Sequence, residues 1–178
     1  MMTRKILITG GCRSGKSRHA LTLARNIPGE KLYVATAEAL DPEMNERIKK
    51  HQQEREAGWE THEEPTDLTA VFRKLEGRKG VLILDCLTLW LSNLLGKDLD
   101  RDSIFMEVRR LMDQSEKMQC QIIFVTNEVG AGIVPENKLA RDFRDLMGGI
   151  NQFIAQRCDE VVHMVSGVPV TIKSNRED

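Results

Sequence analysis

The sequence predicts an α/β fold: a mostly parallel central sheet flanked by helices, with an antiparallel hairpin at its C-terminal end. Three observations predict it. Short apolar runs alternate with amphipathic segments of helical period, the pattern of βαβ units and hence of a parallel sheet. A glycine-rich octad lies between the first apolar run and the first helix. Two β-rich runs near the end, separated only by Ser166-Gly167-Val168, read as a hairpin, and an antiparallel edge on a parallel sheet is common.

The elements follow in order. Residues 4–9 read as a short buried strand, 10–15 as a loop and 16–26 as a helix. A second strand covers 32–35. Asp41-Pro42 then opens a helix, with Asp as N-cap and Pro at the first helical position, running to about residue 57. A helix over 67–76 precedes a third strand at 81–84, which delivers Asp85. Helices over 87–95 and 102–118 lead to a fourth strand, 121–126. A long helix over 137–157 carries the apolar stripe Leu139, Phe143, Met147, Ile150 and Ile154, with Gly148 and Gly149 as a place to kink. The hairpin strands are 160–165 and 169–172. With no repeat, linker or low-complexity stretch, residues 1–178 are expected to form a single catalytic domain.

Composition narrows the function. A net charge of −1 supplies no basic field for nucleic acid or an anionic membrane, so anion binding must be local. No run approaches the ~20 apolar residues of a membrane helix, and Ile6-Leu7-Ile8 is too short for a secretory signal. Cys12, Cys86, Cys120 and Cys158 have no metal-like spacing and are too sparse for a disulfide framework; free thiols in a reducing cytoplasm are expected. Alkylation of Cys12, inside the octad, would block ligand binding there.

The octad is Gly10, Gly11, Cys12, Arg13, Ser14, Gly15, Lys16 and Ser17. Its glycines let backbone N–H groups turn inward onto phosphate oxygens. Lys16 reaches the β- and γ-phosphates, Ser17 ligates Mg2+, and the helix adds its positive end. This is a P-loop, and its strand-before, helix-after context confirms the match. It licenses nucleoside triphosphate binding without choosing between kinase, GTPase and motor. Asp85, at the end of an apolar strand, suits a Walker B acid that holds Mg2+, and equally suits the N-cap of the following helix.

Arg47, His51 and Arg55 fall at i, i+4 and i+8 on one helical face. Two neighbouring cations favour a neutral, nucleophilic imidazole, and the arginines can grip phosphate; the alternative is a solvated charged face. His19, His62 and His163 read as structural. Asn127 and Glu128, at the end of the fourth strand, face either a ligand, a neighbouring subunit or a plain loop turn. They do not supply the Asn-Lys-x-Asp pattern by which signalling GTPases read guanine.

Beyond the P-loop, the chain carries Tyr33-Val-Ala-Thr-Ala37, Asp41-Pro-Glu-Met-Asn-Glu-Arg-Ile-Lys-Lys-His51, Trp59-Glu-Thr-His-Glu63, Val125-Thr-Asn-Glu-Val-Gly-Ala-Gly-Ile-Val-Pro-Glu-Asn137 and Leu139-Ala-Arg-Asp-Phe-Arg144. With these, it resembles over nearly its full length the bifunctional adenosylcobinamide kinase / adenosylcobinamide-phosphate guanylyltransferase family of cobalamin biosynthesis. The resemblance implies two reactions. A nucleoside triphosphate, ATP or GTP, phosphorylates adenosylcobinamide; GTP then guanylylates an enzyme histidine, and the GMP passes on to give adenosylcobinamide-GDP. It implies His51 as the guanylylated residue, where some members have two adjacent histidines and this chain has Lys50-His51. It further implies nucleotide contacts from residues 10–17, Thr36, Arg55, Glu63 and Asp85, with Mg2+ on Ser17 and Asp85. The expected setting is a cytoplasmic homo-oligomer, a trimer on the resemblance, with small-molecule partners, no nucleic acid and no membrane anchor. Two rivals share the P-loop: a small-molecule kinase without guanylyl transfer, which leaves the Arg47/His51/Arg55 face unexplained, and a non-catalytic nucleotide switch.

Overall fold

Among the described residues, seven strands form one sheet, in the spatial order 59–63, 30–35, 80–85, 121–125, 5–10, 160–165 and 168–174. The structure is a computed structural model and describes residues 3–53, 55 and 57–175, with Arg47 described by its backbone alone. The chain runs β1 (Lys5–Gly10), α1 (Lys16–Arg25), β2 (Glu30–Ala35), α2 (Pro42–Gln53), β3 (Trp59–Glu63), α3 (Leu68–Lys74) and β4 (Gly80–Asp85). It continues α4 (Leu87–Leu95), α5 (Arg101–Ser115), β5 (Gln121–Val125), α6 (Lys138–Arg157), β6 (Glu160–Val165) and β7 (Val168–Ser174). All pairings are parallel except β6 with β7. The expected α/β architecture with its terminal hairpin is therefore the one observed.

The central strands are apolar throughout because both faces of the sheet are covered. Leu82 and Leu84 of β4 and Ile122 and Phe124 of β5 point into a core closed by α3, α4, α5 and α6. Val81, Ile83, Ile123 and Val125 point to the other side, where Ala20, Leu21 and Ala24 of α1 pack. This period-2 division leaves no room for polar side chains along the strands. Trp90 of α4 is fully buried, and its indole N–H donates to the Thr66 carbonyl at 2.7 Å.

Four expectations need correction. Residues 59–63 form the edge strand β3, so His62 lies in a strand and not in a polar loop. α2 ends at Gln53 rather than near residue 57: Gly58, at φ 104, turns the chain into β3. Arg55 thus lies beyond the helix, and the i, i+4, i+8 face does not form as one helical surface; the Arg47 side chain lies outside the described residues. α6 runs unbroken through Gly148 and Gly149. A Cβ on Gly149 would meet the Phe105 ring of α5 at 3.4 Å, an ordinary van der Waals contact, so this glycine lies on the side of α6 that faces α5. Finally, β7 begins at Val168, leaving Ser166-Gly167 as a two-residue turn with φ of 50 and 85, as a type I′ hairpin requires.

Two glycines should respond in opposite directions to alanine. Gly10 has φ 148, and an added Cβ would meet the Met164 carbonyl at 2.6 Å. Gly148 sits inside α6 with nothing within 4 Å. Chemical denaturation should show Gly10→Ala destabilised by about 1–3 kcal/mol and Gly148→Ala stabilised by about 0.4–1 kcal/mol.

Candidate active site

The phosphate loop is shaped by its backbone. Gly10, Arg13 and Gly15 all have positive φ, at 148, 56 and 93. Gly15 caps α1 with no side-chain hydrogen bond and no acid in the first turn, so the helix presents open N–H groups to an anion. Lys16 is buried, and its ammonium donates to the Gly10 and Gly11 carbonyls at 3.0 and 2.6 Å, folded over its own loop. Two neighbours brace the loop. Gly167 of the hairpin turn donates its N–H to the Ser14 carbonyl at 3.1 Å, and Glu128 N–H donates to the Gly10 carbonyl at 3.0 Å. Cys12 is exposed on the loop.

Asp85 ends β4, in register with Ala35 of β2. It is not the N-cap of α4; Cys86 holds that position, with its sulfur accepting from Leu89 N–H. The Asp85 carboxylate instead accepts a hydrogen bond from the Tyr33 hydroxyl at 2.8 Å. Burial first, then the adjacent Asp85 charge, push the Tyr33 phenol well above its ordinary range, so it stays a donor.

Thr36, expected to touch nucleotide, is fully buried. Its hydroxyl donates to the Cys86 carbonyl and accepts from the Cys86 N–H, both at 2.8 Å, and its N–H donates to the Asp85 carbonyl at 3.2 Å. Its place is to clamp the ends of β2 and β4 together.

His51 lies in the last turn of α2, whose start is capped by Asp41 accepting from Met44 N–H at 2.7 Å. Arg55 reaches the histidine by folding back. Its Nε donates to the His51 carbonyl at 3.2 Å, its Nη1 to the Thr61 hydroxyl at 3.0 Å, and its Cζ sits 4.2 Å above the Tyr33 ring. Glu63, at the end of β3, accepts from the Gln52 side chain at 3.2 Å.

These parts converge on a cavity of about 300 Å³ between α2 and the carboxyl ends of β2, β3 and β4. Ser17, His51, Arg55, Glu63 and Asp85, all singled out from sequence, line it together with Tyr33, while Met44, Ile48 and Leu89 make its apolar wall. Ligands of open α/β sheets bind at this end of the strands. The Ser17 hydroxyl and the Asp85 carboxylate, both lining this cavity, are hard oxygen donors of the kind Mg2+ takes. Sequence reasoning missed Tyr33. The available signal was a tyrosine inside a buried strand, whose hydroxyl must find a partner.

The other histidines do not line this cavity. His62 pairs with Glu60 at 2.8 Å, and His163 lies in β6 in register with Thr9. Asn127 and Glu128 build a braced loop: Asn127 N–H donates to Thr88 Oγ1 at 2.8 Å, and Glu128 Oε1 accepts from Gly130 N–H at 2.6 Å.

Known proteins resemble the chain over nearly its full length. The family described as cobinamide kinase / cobinamide phosphate guanyltransferase matches residues 6–172. The bifunctional adenosylcobalamin biosynthesis protein CobU of Escherichia coli (strain K12) is 41% identical, over 94% of this chain and 99% of its own length. The corresponding CobP of Pseudomonas aeruginosa is 43% identical, over 94% and 96%. Among solved structures, a prototypical ATPase from the type III secretion system of pathogenic bacteria aligns with TM-score 0.63 at 11% identity, over 92% of this chain and 52% of that one. That likeness is one of fold.

Thiol reactivity follows from burial. Burial pushes the Cys86 and Cys158 thiols up to about 12 and Cys120 up to about 11. Iodoacetamide at about pH 8 should therefore modify Cys12 first in the folded protein, and Mg2+-GTP should slow the reaction. Peptide mass spectrometry that found Cys86, Cys120 or Cys158 modified ahead of Cys12 would contradict this placement.

Proposed function

The chain belongs to the cobinamide kinase / cobinamide phosphate guanyltransferase family, and on that premise we propose that one cavity serves both reactions, with His51 carrying the guanylyl group. The family makes it a bifunctional transferase of cobalamin biosynthesis. The observation that carries the residue assignment is the convergence of His51, Arg55 and Glu63 with Ser17 and Asp85 on one cavity.

In the kinase reaction the hydroxyl of the aminopropanol arm of adenosylcobinamide attacks the γ-phosphorus of ATP or GTP; the new O–P bond forms as the bond to the β-phosphate oxygen breaks, the nucleoside diphosphate leaves, and the hydroxyl proton passes to solvent. No enzyme nucleophile is required; orientation and charge neutralisation suffice. Lys16 exchanges its carbonyl partners for phosphate oxygens, and the open amides of α1 take the rest. The Ser17 hydroxyl and the Asp85 carboxylate would hold Mg2+, which would neutralise phosphate charge there.

In the guanylyl transfer a neutral His51 imidazole attacks the α-phosphorus of GTP. An N–P bond forms, the bond to pyrophosphate breaks, and Arg55 steadies the α-phosphate as charge redistributes. Glu63 fits the guanine end of the ligand: a carboxylate accepts from the ring N1–H and the 2-amino group together. The phosphate of adenosylcobinamide phosphate then attacks phosphorus and frees the imidazole, giving adenosylcobinamide-GDP. This splits one displacement into two, which the kinase-only rival does not require and the switch rival cannot use.

The finer setting is also proposed. The chain works in the cytoplasm, on small molecules, as a homo-oligomer for which a trimer is the family expectation. In support, Val168, Val170 and Ile172 leave an exposed apolar strip on the edge strand β7, a surface that soluble proteins cover. Among the described residues no helix is long and apolar enough to cross a membrane.

GTP labelled at the α-phosphate should leave label on the protein, labile in acid and stable in alkali, while γ-labelled GTP should leave none. His51→Ala should lose both the label and guanylyl transfer yet keep much of the kinase activity. Arg55→Ala should label ~10²–10³-fold more slowly. Label persisting on His51→Ala would move the nucleophile elsewhere.

A further inference from the structure

We propose that Tyr33 is a positioning residue that joins the two halves of the site: its hydroxyl sets the metal-holding Asp85, and its ring sets Arg55 beside His51. The inference rests on the reading of Asp85 as a Mg2+ ligand. Register creates the first link. Ala35 of β2 is level with Asp85 of β4, so Tyr33, two residues earlier, shares a face with the acid and reaches it diagonally. The 2.8 Å bond from the Tyr33 hydroxyl occupies Oδ2 of Asp85. With that oxygen engaged by Tyr33, Oδ1 keeps its lone pairs for other partners, on a residue that lines the same cavity as Ser17. An outer partner of this kind fixes the orientation of a ligating carboxylate.

The second link is the ring. Tyr33 is 5% exposed, so its faces are packing surfaces and not open to solvent. Trp59 of β3 meets it edge-on, with ring centroids 6.0 Å apart, and fixes its plane. Arg55 lies on the ring at 4.2 Å and donates from there to the His51 carbonyl. Arg55 stands past the end of α2, so contacts seat its guanidinium: the Tyr33 ring lies against its face, while the His51 carbonyl and the Thr61 hydroxyl accept from its edge. One side chain thereby ties the sheet-borne acid to the end of the helix that carries the nucleophile.

The two links separate by substitution. Tyr33→Phe keeps the ring and deletes the hydroxyl; Tyr33→Leu deletes both. Mn2+, used as the probe for Mg2+, would be titrated by electron paramagnetic resonance against the enzyme with a non-hydrolysable GTP analogue, in wild type, Tyr33→Phe, Tyr33→Leu and Asp85→Asn. Tyr33→Phe should bind Mn2+ ~10–100-fold more weakly, and saturating metal should restore its rate of labelling from α-labelled GTP. Tyr33→Leu should remain slow in labelling at saturating metal, because Arg55 has lost its seat. Asp85→Asn should weaken Mn2+ at least as much as Tyr33→Phe. Wild-type Mn2+ affinity in Tyr33→Phe, with Asp85→Asn weakened, overturns the inference and leaves the metal role of Asp85 standing. Wild-type affinity in Asp85→Asn as well overturns both. Should Tyr33→Leu fail to fold in thermal unfolding, the Tyr33→Phe titration still decides the hydroxyl link, and the labelling rate of Trp59→Leu, which frees the ring, decides the other: it should fall at saturating metal, and an unchanged rate overturns that half.

Discussion

A parallel sheet buried on both faces leaves the chain one region where polar chemistry can sit. Over residues 6–8 of β1, 81–84 of β4 and 122–125 of β5 every side chain faces one of two apolar cores, and a charged group there would cost several kcal/mol of desolvation. At the carboxyl ends the strands stop, the turns open, and backbone N–H groups come free. The phosphate loop after β1 and Asp85 at the end of β4 both lie at that edge, with β5 between their strands. The remaining functional side chains are delivered to the same edge by whatever follows β2 and β3. Placement of the site is thus a consequence of how the core is filled.

Within that edge, some groups line the cavity and others hold its frame. Ser17, His51, Arg55, Glu63 and Asp85 line the cavity. Thr36 lies behind it, saturating the Cys86 backbone and joining two strand ends. The hairpin turn at Gly167 and the loop at Glu128 brace the phosphate loop from two sides. Preorganisation of this kind lets the site meet developing charge without rearranging at the moment of reaction.

Much of this was legible in the sequence, for identifiable reasons. The P-loop is a local device: its glycines, lysine and serine must be contiguous, so sequence spacing shows it directly. Strands such as 81–84 are apolar because both faces are buried, which makes them plain. β3 was not legible. Trp59-Glu-Thr-His-Glu63 is an edge strand with mostly polar side chains, and its pairing with β2 rests on backbone hydrogen bonds that composition does not reveal. The missed strand also hid the early end of α2, and with it the true route by which Arg55 meets His51. Pattern placed the two residues together through helical periodicity; the structure joins them through a turn. Tyr33 shows no site role in the sequence because its partner, Asp85, is 52 positions away and becomes a neighbour only through the β2–β4 register. Long-range register is what a single sequence conceals.

The account stands or falls on the claim that one cavity runs both reactions, because the chain holds one P-loop and its cradle faces that cavity through Ser17. The most direct measurement is the pair of initial rates, cobinamide phosphorylation and guanylyl transfer to cobinamide phosphate, in folded Lys16→Ala enzyme. The account predicts that both rates collapse together. Near-normal turnover of either reaction would contradict it and would require a second nucleotide site.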